Sequence, residues 1–200
     1  MSRRGQRVVN VPAYLLHATA WRETSLVVQV FAREHGVVAM VAKGAKRPHS
    51  VLRPVLNAFQ PLSLSWSGAG EVKTLTRAES AGIQPLRGRA FMSAWYMNEL
   101  LLRLLPREDA HPVLFDAYEA ALAKLVAVGQ DRDTSLPISG LLRQFEWALL
   151  QETGYGFDEP MPDFADADIE RQFRPVLRER LDELLGRPLQ TRKVLMELYR

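Results

Sequence analysis

Two hundred residues and 22.6 kDa make one large domain or two small ones. A composition that is 47% hydrophobic and 24% charged can bury a core and excludes collagen-like or low-complexity chains, and the lack of any cysteine excludes a disulfide framework, a thiolate-bound metal and a cysteine nucleophile. The formal net charge of +3 hides an asymmetry: residues 1–82 hold eleven Lys and Arg against four Asp and Glu, net +7, whereas residues 83–200 hold fifteen against nineteen, net −4.

The first stretch reads as strands. Tyr14–His17 is followed by two β-branched-rich runs, Thr24–Phe31 and Val37–Val41, separated by a turn at Glu34-His35-Gly36. Leu62, Leu64 and Trp66 alternate with Ser63, Ser65 and Ser67 in a period of two, and Glu71–Arg77 follows the turn Gly68-Ala69-Gly70. Five short strands in about 80 residues favour a small closed barrel, because closure removes exposed edges, and an OB-type barrel is the economical expectation. From Pro85 the period becomes helical. Phe91–Leu105 is stopped by Pro106, Val113–Val126 carries one apolar stripe, and Leu141–Leu150 is stopped by Thr153-Gly154. Leu177–Leu185 follows Pro175, read as a first-turn proline, and Thr191 is read as the N-cap of a last helix over Lys193–Tyr199. The expected architecture is α+β in two domains: an OB-type barrel over residues 1–82 and an all-α domain over residues 83–200. Within the second, Asp158–Glu170 holds six acidic residues, two prolines and no basic residue, and reads as an acidic loop.

Catalytic machinery is nearly absent. His17, His35, His49 and His111 show no metal-ligand spacing, no GxSxG elbow exists, and Gly68–Lys73 lacks both the spacing and the following helix of a phosphate-cradling loop. The carboxylates of Asp158–Glu170 offer the one enzymatic alternative, a Mg²⁺-dependent DNA phosphodiesterase. Binding is the stronger reading. Lys43, Lys46, Arg47 and His49 fall within seven residues that Gly44 and Pro48 keep out of regular structure, which suits contact with a phosphate backbone. A basic arm (Arg3, Arg4, Arg7) and Arg22, Arg53, Lys73 and Arg77 extend this candidate DNA-binding set. Among the aromatic residues that could stack on bases, Phe31, Phe59 and Trp66 suit a core, and Trp21, beside Arg22, competes for an exposed role.

Trp21-Arg22-Glu23-Thr24-Ser25, Val30–Gly36, Val41–Arg47 ending at Ser50, Phe59-Gln60-Pro61 and Gly70–Leu75 resemble the N-terminal barrel of the bacterial recombination mediator family RecO. Tyr96–Leu101, Phe145–Leu150, Thr153–Gly156 and Leu184–Arg192 resemble its helical domain. The resemblance implies a non-enzymatic DNA repair and recombination function without a cofactor: binding of single- and double-stranded DNA, annealing of complementary strands, recognition of the acidic C-terminal tail of single-stranded DNA-binding protein, and loading of RecA with the partner RecR. It implies a cytoplasmic, nucleoid-associated protein, in accord with the lack of any apolar run near the ~20 residues of a membrane span and of an apolar stretch behind the arginines of Met1–Val11. For the tail it points to Leu142, Arg143 and Trp147, since an acidic chain end needs an apolar groove with a cation at its rim; Arg143 is equally placed to pair with Glu146 one turn on. Two departures stand out. The cysteine-bearing, sometimes zinc-binding segment that many members carry after the GYG motif has no cysteine here, so no metal site is expected, and the stretch after Phe157 is short.

Overall fold

The computed structural model describes residues 7–130, 137–192 and 194. Five strands, β1 (Arg7–Trp21), β2 (Ser25–Ala32), β3 (Gly36–Ala42), β4 (Pro61–Ser67) and β5 (Val72–Ser80), close a barrel in the order β1-β2-β3-β5-β4. That is the expected five-stranded OB-type architecture, followed by helices. All neighbours are antiparallel except β3 and β5, whose parallel contact (Ala39↔Val72, Met40↔Lys73, Val41↔Thr74) closes one seam.

β1 is far longer than the Tyr14–His17 expected from its sequence, because it serves two partners. Its first half pairs with β4, from Arg7↔Ser67 to Tyr14↔Pro61, and its second half with β2, from Ala13↔Ala32 to Trp21↔Ser25. Irregularities between Val8 and Val11 and between Leu15 and His17 bend it around the barrel, as bulges do. Asn10 takes φ +54° in the first of these, a conformation asparagine tolerates, and its backbone N–H donates to Ser65 Oγ at 3.0 Å. This explains why Ser65 is buried although it alternates with apolar neighbours. Leu62, Leu64 and Trp66 point inward as their spacing predicts, meeting Leu15, Val28, Val30, Val38 and Met40.

The chain between β3 and β4 is a succession of turns: Arg47 N–H donates to Gly44 O at 3.0 Å, Ser50 N–H to Arg47 O at 3.1 Å and Leu56 N–H to Leu52 O at 2.9 Å. Buried Ala45 and partly buried Leu52, Val55 and Leu56 root it on the barrel core, so its basic side chains extend from a fixed base.

The helices are α1 (Gly88–Leu104), α2 (Pro112–Gly129), α3 (Ile138–Glu152) and α4 (Ala167–Leu185). α4 corrects the expectation of a start at Pro175. Asp166 is the N-cap, its carboxylate accepting from the backbone N–H of Asp168 and Ile169 at 2.8 and 3.2 Å, and Pro175 lies inside the helix. Asp168 and Glu170 then occupy the first turn, where the helix dipole favours negative charge, so the end of the acidic stretch is helix rather than loop. Thr191 is not a cap either. The turn at 190–192 is helical, and Glu99 of α1 caps it, accepting from the N–H of Gln190 and of Thr191 and from the Thr191 hydroxyl at 2.7–2.9 Å. Of the helix expected over Lys193–Tyr199, all but Val194 lies outside the described residues.

The chain forms two compact units: residues through Gln84 with Pro106–Pro112, and Pro85–Leu105 with Val113 onward. A cut at 82/83 does not contain the excursion at 106–112. There, Glu108 N–H donates to Val37 O at 3.0 Å and Arg107 pairs in parallel with Val37, extending the barrel unit beside β3.

Candidate nucleic-acid interface

Two hairpin ends meet at one side of the barrel. The turn after β1 presents Trp21 and Arg22, and the chain leaving β3 presents Lys43, Lys46 and Arg47. Lys46 N–H donates to Thr24 O at 2.9 Å and its Nζ to Arg22 O at 3.5 Å, tying the turn to the basic loop. Trp21, Arg22, Val41, Lys43 and Arg47 line an open concavity of about 730 Å³, with Glu23 as the one carboxylate among its lining residues. A second concavity shares Lys43, Gly44 and Arg47 with the first and continues through Pro48 and His49 to Leu52. A third shares Pro48, His49, Ser50 and Val51 with the second and adds Arg53 and Pro54. The three linings overlap, so Arg22, Lys43, Arg47 and Arg53 border adjoining concavities, while Lys46 lines none of them and turns its Nζ to Arg22 O. Gly44 shapes the loop: at φ +71° it reverses the chain, and the Arg47 side chain lies directly over it, with Cδ 3.5 Å from where a Cβ would stand. Among the described residues no carboxylate pairs with Lys43, Lys46, Arg47 or Arg53.

The other candidates separate. Arg7 is exposed at the start of β1, and the register Arg7↔Ser67↔Thr74↔Val41 puts it three strand spacings, about 14 Å along the sheet, from the first concavity. Arg77 is exposed on β5, with its guanidinium held by Glu79 at 2.7 Å. Arg3 and Arg4 lie outside the described residues. Lys73 is a correction. It is buried, donates to Gly70 O at 2.8 Å and forms an ion pair with Glu108 of the 106–112 segment at 2.8 Å, so its charge is satisfied internally. Of the four aromatic candidates, Phe31, Phe59 and Trp66 are core residues, and Trp21 alone is exposed.

In the helical unit, Leu142 and Arg143 line a concavity of about 210 Å³ with Tyr96, Glu146, Arg174, Arg178 and Arg192. Trp147 does not join them, which corrects its assignment to a partner site. Its indole is buried, stacked on Phe157 at 4.5 Å between centroids and flanked by Phe164 and Phe173 at about 6 Å. Arg143 bonds to Glu146, as one-turn spacing allows, and its second nitrogen lies 3.7 Å from Glu170. The Tyr96 hydroxyl also donates to Glu146, at 2.7 Å. Burial pushes the Glu146 carboxyl up against the opposing pull of Arg143, and burial, with the neighbouring Glu146 charge, pushes the Tyr96 hydroxyl up. Arg174 reaches Glu170 at 2.7 Å, a hydrogen bond that raises the guanidinium's pKa. The sequence does not set Arg174 and Arg178 apart, because their one-turn spacing becomes a helix face only once α4 begins at Ala167.

The acidic stretch does not converge. Asp163 accepts from Ala165 N–H, Asp166 caps α4, Asp168 pairs with Arg171 and Glu170 with Arg174. Among the described residues no group of three or more His, Cys, Asp or Glu side chains is placed to hold a metal ion.

Two family descriptions match this chain: Recombination protein O N terminal over residues 7–83 and Recombination protein O C terminal over residues 86–159. A DNA repair protein RecO from Aromatoleum aromaticum is 45% identical across an alignment of 240 positions that takes in 96% of this chain and 97% of the relative. The chain belongs to the RecO family. RecO proteins from Cupriavidus pinatubonensis and Azoarcus sp. are 58% and 55% identical over 157 and 154 residues, each match covering 76% of this chain but only 51% and 60% of the relative. The chain thus spans nearly the whole length of one RecO relative and about half that of another. The longer alignment has more positions than this chain has residues, so that RecO carries residues without a counterpart here. No helix among the described residues is long and apolar enough to cross a membrane.

Proposed function

We propose that this RecO family member is a non-enzymatic recombination mediator whose barrel binds single- and double-stranded DNA along the track from Arg22 through Lys43, Lys46 and Arg47 to Arg53. The observation that carries this reading is that Arg22, Lys43, Arg47 and Arg53 border adjoining concavities, with no described carboxylate paired to the loop cations. Cations left in water on a rooted loop are available to neutralise phosphates, and each neutralised phosphate releases condensed counterions. Two complementary strands repel through their phosphates; a surface that screens both lets pairing proceed, which is the annealing step. With RecR, the same protein assists the loading of RecA on strands coated by single-stranded DNA-binding protein.

Lys43→Ala and Arg47→Ala are each expected to reduce the slope of log affinity against log salt for duplex DNA by about 0.9. Lys73→Met is expected to leave that slope unchanged, since its charge already faces Glu108. Fluorescence anisotropy over a salt series measures all three. A wild-type slope in both loop variants would remove the loop from the interface, and strand annealing at several salt concentrations tests the function directly.

The helical concavity offers a second binding reading, the acidic tail of single-stranded DNA-binding protein: apolar Leu142 lines it together with Arg143, Arg174, Arg178 and Arg192. An incoming carboxylate would compete with Glu146, Glu170 and Asp182, which already pair with these guanidinium groups. Arg178 is the better probe than Arg143: Arg143 is enclosed by two glutamates, whereas Arg178 is exposed and faces Asp182 at a looser 3.6 Å. Arg178→Glu is expected to weaken binding of a peptide ending in acidic residues while naked-DNA binding holds; calorimetry with both ligands checks this, and equal losses would argue against separate sites.

A further inference from the structure

Trp21 is not explained by packing. It closes β1 with 48% of its surface exposed, whereas Trp66 and Trp147 are buried. A tryptophan at a hairpin end is ordinarily folded back onto apolar neighbours, since burying its large face is strongly favourable. Its surroundings here are mainly cationic and polar instead: Arg22, Lys43 and Arg47 line the same concavity, with Glu23, Thr24, Ser25 and Val41. The Arg22 guanidinium sits 5.9 Å from the centre of the indole ring, within cation–π range. Arg22 also holds φ +53°, a left-handed conformation that costs an arginine free energy and is concentrated in ligand-holding turns. The two hydrogen bonds from Lys46 fix this turn against the basic loop, so indole and cations form one piece.

We propose that Trp21 is a stacking platform for one unpaired base, with Arg22, Lys43 and Arg47 holding the phosphates on either side of it. The inference rests on the reading of the barrel as DNA-binding and adds a chemical preference to it. Paired bases keep their faces inside the duplex stack, so only a single strand can place a base on the indole without the cost of unpairing. The phosphate contacts serve both forms; the platform serves one. It lets the barrel hold an unpaired strand more tightly than the duplex that annealing produces, which favours release of the product.

The test compares an oligothymidylate of roughly 12 nucleotides with an abasic deoxyribose-phosphate chain of the same length, binding measured by anisotropy. The wild-type chain is expected to bind the oligothymidylate more tightly. Trp21→Ala is expected to bind it about 5- to 150-fold more weakly while its affinity for the abasic chain stays unchanged, and Trp21→Phe is expected to restore most of the loss. Equal weakening toward both ligands, or no weakening toward either, overturns the platform. If the wild-type chain binds neither ligand, the DNA-binding reading itself fails; if it binds both alike and without dependence on Trp21, only this inference fails.

Discussion

Glu146→Ala is expected to destabilise the helical unit by about 3–5 kcal/mol, toward the lower end because Glu170 keeps one contact with Arg143. Glu146 is only 1% exposed and is the acceptor shared by Arg143 and the Tyr96 hydroxyl. Truncation leaves an enclosed guanidinium, whose Nε already lacks a partner among the described residues, facing a void, and leaves a buried hydroxyl without its acceptor. Glu146→Gln keeps an acceptor for Tyr96 and should be milder. The pair also makes a pH prediction. Burial raises the folded-state pKa of Glu146 above its unfolded value. The folded chain then holds a proton that the unfolded chain has released, and a group of this kind contributes stability that is present at low pH and lost as pH rises through its folded pKa. The wild-type chain should therefore lose stability relative to Glu146→Gln as pH climbs from the ordinary carboxylate range through that raised value. Urea unfolding of both chains across this window measures it, and a difference that grows in the opposite sense would show that Arg143 outweighs burial.

Gly36→Ala should rival it in size, at about 3 kcal/mol or more. Gly36 opens β3 at φ +64°, and a Cβ there would lie 1.8 Å from the Asp109 carbonyl oxygen and 2.6 Å from its carbon. Backbone cannot yield as a side-chain tip does, so the 106–112 segment would have to leave the barrel. With it would go the Glu108 N–H bond to Val37 and the Lys73–Glu108 ion pair. Lys73, buried and suddenly unpaired, compounds the loss. Hydrogen exchange gives a local readout: the Glu108 amide should lose its protection in Gly36→Ala while amides deep in β2 keep theirs. Protection retained at Glu108 would mean that the segment accommodates a methyl group by some other route.

The sequence was most legible where one physical rule acts alone. Leu62, Leu64 and Trp66 point inward because a strand with one buried face must alternate, and the basic loop announces itself because Gly44 and Pro48 interrupt regular structure where cations are dense. Legibility failed where a partner lies far along the chain. β1 hides its length because its bulges break the alternation and its first half is matched only by β4. Lys73 looks like a free cation until Glu108 is folded beside it. Trp147, expected in the partner-binding set with Leu142 and Arg143, is claimed by Phe157, Phe164 and Phe173, which lie beyond the helix that carries it. The start of α4 was misplaced because a proline usually marks a first turn, whereas Asp166 caps strongly enough to begin the helix two turns earlier despite the bond lost at Pro175.

The order of pairing in the barrel has a consequence for synthesis on the ribosome. The leading half of β1 is made first, yet its neighbour β4 begins at Pro61, and Val37 waits for Glu108, a residue translated after the whole of α1. The amino-terminal lobe therefore reaches its final form only when part of the next lobe has already emerged; the leading half of β1 stands open to other chains until β4 is made, and the start of β3 until Glu108 is. A nascent chain halted before residue 106 should accordingly be more prone to co-aggregation than one halted after residue 112.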